Sequence, residues 1–225
     1  MYQKFVIIVA GGTGSRMQSK TPKQFIEING EAIVVRTIKA FLNYDAGIKI
    51  IISVHTDFKI HLQKLIDTQL AAKNNITIAI GGDTRFQSVK NGLAFVDEDT
   101  AIVGIHDAAR PLVSIKTITN AFKGAKEMGN ATPCIAINES LRSVTNHKNS
   151  SVNRNDFKII QTPQCFLVSK IKQAFTQEYN PTFTDDATVL EAMGEHINLV
   201  EGNIENIKIT TQFDLSIVKA LLDNE

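Results

Sequence analysis

Side chains able to do chemistry gather just past the ends of short apolar runs. Arg16 and Lys23 follow Phe5–Val9, Asp83 and Ser88 follow Ile76–Ile80, and Asp107 and Arg110 follow Ala101–Ile105. The first run opens into Ala10-Gly11-Gly12-Thr13-Gly14-Ser15-Arg16-Met17 and then, after Pro22, reaches Lys23. Glycines at 11, 12 and 14 let backbone N–H groups approach an anion with no Cβ in the way. With fixed positive charge beside it, such a loop suits phosphate; an ordinary turn is the competing reading.

Two familiar phosphate loops do not fit. A Walker loop requires a second glycine where the best register, Gly14 to Thr21, has Ser19. Pro22 then biases Thr21 away from the helical geometry that should begin there. The dinucleotide fingerprint fails at Met17, which stands where a third glycine or alanine permits close strand–helix packing.

The second cluster, Gly81-Gly82-Asp83 with Arg85 and Ser88, leaves backbone open to a flat ligand. Asp83 either accepts from an exocyclic amine such as cytosine N4 or caps the next helix. Asp107 is suited to Mg²⁺, which takes one or two carboxylates plus phosphate oxygens; it could also cap a helix or pair with Arg110, but its place at a strand end opposite the glycine loop favours the functional reading. His106 has no serine or cysteine arranged with it as a nucleophile and reads as structural. Lys208, inside the apolar stretch Asn206 to Thr210, either faces inward toward an anion or outward from an edge strand.

Positioning these groups requires a layered scaffold. Continuous apolar runs at Phe5–Val9, Ile48–Val54, Ile76–Ile80, Ala101–Ile105 and Ala131–Ile137 predict strands covered on both faces. Between them, Ile33–Leu42, His61–Ala72, Gln87–Phe95 and Ile115–Met128 carry apolar residues at spacings of three and four. That alternation predicts an α/β fold: a Rossmann-like, doubly wound, mostly parallel sheet with helices on both faces. Ligands in such sheets bind beyond the carboxyl ends of the strands.

Past Ile137 the pattern changes. Asn138 to Asp156 is polar and reads as a protruding β-arm or as a solvated loop. Beyond it lie apolar Ile159-Ile160 and Cys165-Phe166-Leu167, a helix from about Ser169, and a second helix with Thr184 as N-cap. A final strand is expected near Ile207–Ile209, with a helix from Thr211.

The 225 residues suit one large domain, with no internal repeat and no linker. A net charge of +1 gives no general argument for nucleic-acid or membrane partners. Cys134 and Cys165 are expected to be buried thiols, and the five-residue apolar run near the start is too short for a signal peptide or membrane span. Both point to the cytoplasm.

Seven segments in order resemble the 2-C-methyl-D-erythritol 4-phosphate cytidylyltransferase family: AGGTGSRM from Ala10, PKQF from Pro22, GGDTRFQSV from Gly81, HDAARP from His106, NRNDFKIIQTPQ from Asn153, FTDDA from Phe183 and EGNIENIKIT from Glu201. The resemblance implies a single nucleotidyltransferase domain that uses CTP, a sugar-alcohol phosphate and Mg²⁺. It implies that Ala10, Gly11, Gly81, Asp83 and Ser88 surround the cytidine, with Gly12, Gly14 and Gly82 in the same nucleotide-binding loops. Arg16, Lys23 and Lys208 would contact the triphosphate. Asp107 would place Mg²⁺ and the sugar, while Arg110, Ser140, Arg154 and Thr162 hold the sugar phosphate.

The resemblance also implies a homodimer, in which the segment 138–156 clasps a second subunit and brings Ser140 and Arg154 to the neighbour's site. Ser140, Glu139 and Asn153 stand where the erythritol enzymes often carry Thr, Asp and Asp, which leaves ribitol 5-phosphate as an alternative acceptor. A non-catalytic nucleotide-binding module is a further alternative; it would tolerate loss of Lys23, Asp107 or Lys208, and all three are present.

Overall fold

In the computed structural model, which describes residues 2–12, 22–71 and 73–223, a strand opens the chain, β1 (Lys4–Ala10). Its side chains alternate between two cores. Val6 and Ile8 pack with Phe41 and Phe122 on one face, whereas Phe5 and Ile7 pack with Phe86, Phe166 and Phe175 on the other. A strand covered on both faces is apolar throughout for this reason, and parallel sheets demand it.

A short hairpin, β2 (Glu27–Ile28) and β3 (Glu31–Ala32), leads into α1 (Ile33–Tyr44) and β4 (Lys49–Val54). Then come α2 (Lys59–Gln69), β5 (Ile76–Ile80), α3 (Arg85–Leu93), β6 (Ile102–Asp107), α4 (Ile115–Met128) and β7 (Asn130–Ala136). The helices expected from periodicity are present with ends shifted by a few residues; α3 begins at Arg85, two residues earlier, because Thr84 caps it.

The arm is a two-stranded hairpin, β8 (Arg142–Thr145) and β9 (Lys148–Ser151), paired only with each other and exposed along both strands. Asn146 and His147 at its tip adopt positive φ, as a tight hairpin turn requires. The chain returns through β10 (Lys158–Ile160), β11 (Gln164–Leu167), α5 (Val168–Ala174), α6 (Asp186–Glu191), β12 (Leu199–Glu201) and α7 (Gln212–Leu222).

The main sheet runs β10-β7-β11-β6-β1-β4-β5, with β12 against β7. β6, β1, β4 and β5 are mutually parallel, and β11 inserts antiparallel between β6 and β7. Strand order reverses between β1 and β6. That switch point, beyond the carboxyl ends of both strands, is where an open α/β sheet leaves a crevice.

Three expectations require correction. Ile207–Ile209 is not a strand: its alternating isoleucines pack beside Ile28, Ile33 and Val218 in a third small core, so the alternation is satisfied without a ladder. The late strand is instead β12. Thr184 is not the N-cap of α6; Asp185 is, through a reciprocal capping box with Thr188. Cys165 is buried as expected, whereas Cys134 is only partly so.

Candidate active site

A cleft of about 360 Å³ lies at the switch point. Its floor is the end of β1 and the start of the glycine loop. Gln24 is buried and its Nε2 donates to the carbonyl oxygens of Ala10 at 2.7 Å and Gly12 at 3.0 Å, tying the Lys23–Phe25 turn beneath the loop. Gly14 and Arg16 lie outside the described residues.

The second glycine pair meets the first through one hydroxyl. Ser88 Oγ accepts from the Gly82 N–H at 3.1 Å and donates to the Thr84 carbonyl at 2.9 Å. A Cβ at Gly11 would stand 3.2 Å from that oxygen, and one at Gly81 would stand 3.0 Å from it. Glycine at both positions is what lets the two loops close on Ser88. Asp83 is exposed on the cleft wall and does not cap α3; Thr84 does, accepting from the Gln87 N–H at 3.0 Å. The capping alternative for Asp83 is therefore excluded.

Asp107, at the end of β6, is the electrostatic centre. Lys208 Nζ lies 3.0 Å from Oδ2, Arg110 Nε 3.2 Å from the same oxygen, and Arg85 Nε 3.6 Å from Oδ1. Burial alone would raise the Asp107 carboxyl, but Arg85, Lys208 and Arg110 outweigh it and hold it far below the usual carboxylate range. Lys208 thus faces inward, and the edge-strand reading fails. It is carried by a strap, residues 206–210, fixed by side chains instead of by a ladder. Asn206 is fully buried and donates to the Thr162 carbonyl at 2.8 Å, Arg110 Nη1 donates to the Asn206 carbonyl at 2.8 Å, and Lys23 Nζ donates to the Ile209 carbonyl at 2.7 Å.

His106 is structural, as its sequence context suggests. Its ring is buried edge-on to Phe41, one nitrogen pairs with the Arg110 carbonyl at 3.1 Å, and the other pairs with Thr162 Oγ1 at 3.0 Å. Burial pushes the imidazole down to about 4, so it is neutral near pH 7. Thr162 Oγ1 also accepts the Asp107 N–H at 3.1 Å.

The structure brings Ala10, Gly11, Gly12, Lys23, Gly82 and Asp83 to the cleft lining, together with Ser88, Asp107 and Lys208. Gly81 lies directly behind it. Arg110 and Thr162 stand behind Asp107, with their polar atoms engaged as above. Within one chain Ser140 and Arg154 do not reach the cleft; both are exposed at the root of the arm, where Arg154 donates to the Asn138 carbonyl. Gln24, Arg85, Asn206 and Asp186 contribute to the site without having been singled out. Arg85 was legible only as a basic residue two positions past Asp83, and the buried asparagine and aspartate gave no separate signal.

The donor set does not build a metal cage. Among the described residues no group of three His, Cys, Asp or Glu side chains could hold an ion. Asp107 nevertheless lines the cleft, and its Oδ1 accepts no hydrogen bond among the described residues, which fits a cation carried in on a nucleotide and needing one carboxylate.

Fold and cleft together define a nucleotidyltransferase of the glycine-loop α/β type. The model of the 2-C-methyl-D-erythritol 4-phosphate cytidylyltransferase (IspD) family matches residues 4–224, and the chain belongs to that family. It is 44% identical over 219 residues to the 2-C-methyl-D-erythritol 4-phosphate cytidylyltransferase of Phocaeicola vulgatus, covering 97% of this chain and 99% of that protein. The crystal structure of the Francisella tularensis enzyme of that name is 30% identical, with a TM-score of 0.78, covering 97% of this chain and 99% of that one. The 4-diphosphocytidyl-2C-methyl-D-erythritol synthase of Anaerococcus prevotii, 24% identical with a TM-score of 0.84 and 99% coverage of each chain, shares the fold.

Proposed function

We infer that this chain joins CTP to 2-C-methyl-D-erythritol 4-phosphate, giving 4-diphosphocytidyl-2-C-methyl-D-erythritol and pyrophosphate in isoprenoid-precursor synthesis. Family membership over nearly the whole chain supports the substrates. The observation that carries the chemistry is the cleft in which two glycine loops close on Ser88 and which Lys23, Asp107 and Lys208 line together, Lys208 against Asp107.

A phosphate oxygen of the sugar phosphate forms a bond to the α-phosphorus of CTP. The bond from that phosphorus to the bridging oxygen breaks, and its electron pair leaves with pyrophosphate. Because a phosphate monoester has its second pKa near ~6, the nucleophile is already ionised at neutral pH and needs no strong base. His106, engaged at both ring nitrogens, is accordingly not required as one. The barrier lies in bringing two polyanions together, which positioning and fixed charge lower.

In this reading Lys23 and Arg16 neutralise the α-phosphate and leaving group, and Lys208 adds charge from the strap. Gly81, Asp83 and Ser88 hold the cytidine. Mg²⁺ borne on the triphosphate would supply further charge neutralisation, with Asp107 its protein contact. Arg110 and Thr162 support the sugar-phosphate half by holding Asp107. Ser140 and Arg154 complete it from a second subunit, which makes the arm at about 138–156 a dimerisation element of a single-domain protein. Exposed Val144 on the arm and exposed Phe157 and Ile159 just after it in the chain support that contact. No helix among the described residues is long and apolar enough to cross a membrane, and the cytoplasm, where CTP is available, belongs to the same proposal.

Pyrophosphate release should be measured with CTP and Mg²⁺, separately with methylerythritol phosphate and ribitol 5-phosphate. Release with the first acceptor and little with the second is expected. Release with neither overturns the assignment; preferential use of ribitol 5-phosphate overturns the acceptor.

A further inference from the structure

The segment Phe183 to Ala187 belongs to the residues that resemble the family, yet none of its side chains enters the chemistry above. Its second aspartate is fully buried. Asp186 meets the Arg85 guanidinium end-on, with Nη1 to Oδ1 at 2.8 Å and Nη2 to Oδ2 at 2.6 Å. Such bidentate pairing fixes the plane of the guanidinium as well as its position. Both terminal nitrogens face Asp186, and the remaining Nε–H edge looks toward Asp107 Oδ1 at 3.6 Å.

Asp186 is itself immobilised. Gln164 Oε1 accepts from the N–H groups of Asp186 at 3.0 Å and Ala187 at 2.8 Å, while its Nε2 donates to Asp185 Oδ2 at 2.7 Å. Gln164 begins β11, the strand paired with β6, whose last residue is Asp107. The guanidinium is therefore clamped from a helix on one side and presents its free edge to the site carboxylate on the other.

We propose that Arg85 is a positioning residue: clamped by Asp186, it sets the orientation of the Asp107 carboxylate from the side opposite Lys208 and Arg110. Arg85 lines the cleft, and Asp186 engages one N–H of each terminal nitrogen, which fixes the guanidinium in place. Its effect on turnover runs through Asp107. Without the clamp, a loose guanidinium would compete for the incoming anion or draw Asp107 out of line. The role rests on the cytidylyltransferase reading of the cleft.

The test is a double-mutant cycle between Arg85→Lys and Asp107→Asn, read as kcat/KM for the sugar phosphate and as KM for CTP. Arg85→Lys keeps the charge opposite Asp186 but removes the planar fork. It should lower kcat/KM for the sugar phosphate about 10-fold, a typical coupling between contacting residues, with KM for CTP changed less than about 3-fold. In the Asp107→Asn background the same change should cost less than about 2-fold, because the group it orients is gone.

Asp186→Asn, which keeps the shape and removes the charge, should reproduce the split; if either variant melts early, the other carries the cycle. An Arg85→Lys defect that persists undiminished in the Asp107→Asn background, or an unchanged kcat/KM, overturns the role while leaving the enzyme assignment intact. Wild-type protein that releases no pyrophosphate overturns the assignment and, with it, the role.

Discussion

Lys23 Nζ donates to the Ile209 carbonyl at 2.7 Å, joining the exit of the glycine loop to the strap that carries Lys208. The two lysines assigned to the triphosphate are thus linked through a bond that spans 186 positions of sequence. Lys23→Ala removes a charge from the leaving-group side and a tie from the strap at once. It should lower kcat by about 10²-fold or more, as when an oxyanion donor is lost. Steady-state pyrophosphate release measures this, and turnover within a few-fold of wild type would remove Lys23 from the chemistry.

Asn206 serves the strap from beneath. Replacing it with alanine leaves the Thr162 carbonyl without its donor in a fully buried place, so stability should fall by about 1–3 kcal/mol. Lys208 should also lose register, raising KM for CTP. Asn120→Ala is the control, since its bond to the Glu201 carbonyl is exposed. Urea unfolding and CTP kinetics on both variants separate the effects; equal behaviour would deny the strap its dependence on Asn206.

The buried imidazole of His106 makes stability depend on pH. Its folded value, about 4, lies below the ordinary 6.5, so between those values the unfolded chain binds the extra proton. Its contribution is complete above pH 6.5 and is lost as pH falls toward 4, by about 3 kcal/mol in all. Asp107, held ionised far below the ordinary carboxylate range, adds to the slope only below about pH 5, where the unfolded carboxyl begins to bind protons. Urea unfolding from pH 7.5 to 4.5 should show the loss, and His106→Gln should flatten it; an unchanged slope in the variant would place the titrating group elsewhere.

The arm should be separable from the fold. None of its strand residues is buried within the chain, so replacing residues 142–151 by a short Gly-Ser link should leave a cooperatively folded chain, its melting temperature lowered only by what the lost dimer contact contributes. Sedimentation should then report single chains, CTP should still bind, and turnover should collapse because Ser140 and Arg154 no longer reach a neighbour. A dimer that survives the replacement would show that the arm does not hold it together.

Much of this was legible in the sequence because burial on both faces leaves a plain mark. Runs such as Phe5–Val9 have no alternation to misread, and the residues beyond them fell at the cleft. Alternation misled at Ile207–Ile209, where packing into a small core imitates an edge strand. Thr184 and Asp185 are both good caps, and only the position of Thr188 relative to each decides between them. Contacts formed across long sequence separations left no trace: Arg85 and Asp186 are 101 positions apart, and neither residue type names its partner. Lys208 was ambiguous until Asp107 was found beneath it.

The strap has a bearing on how such a protein can change over generations. The glycine-loop wall, proposed to meet the nucleotide, is continuous with a buried parallel ladder, where most substitutions disturb the core. The wall that carries Lys208 hangs from individual side-chain ties, and the groups expected to meet the acceptor lie on an exposed arm. Substitutions should therefore be tolerated more readily on the exposed arm than on the glycine-loop wall or the buried ties of the strap. Ser140, Glu139 and Asn153, the positions where this chain departs from the family's common residues, all lie on that permissive side.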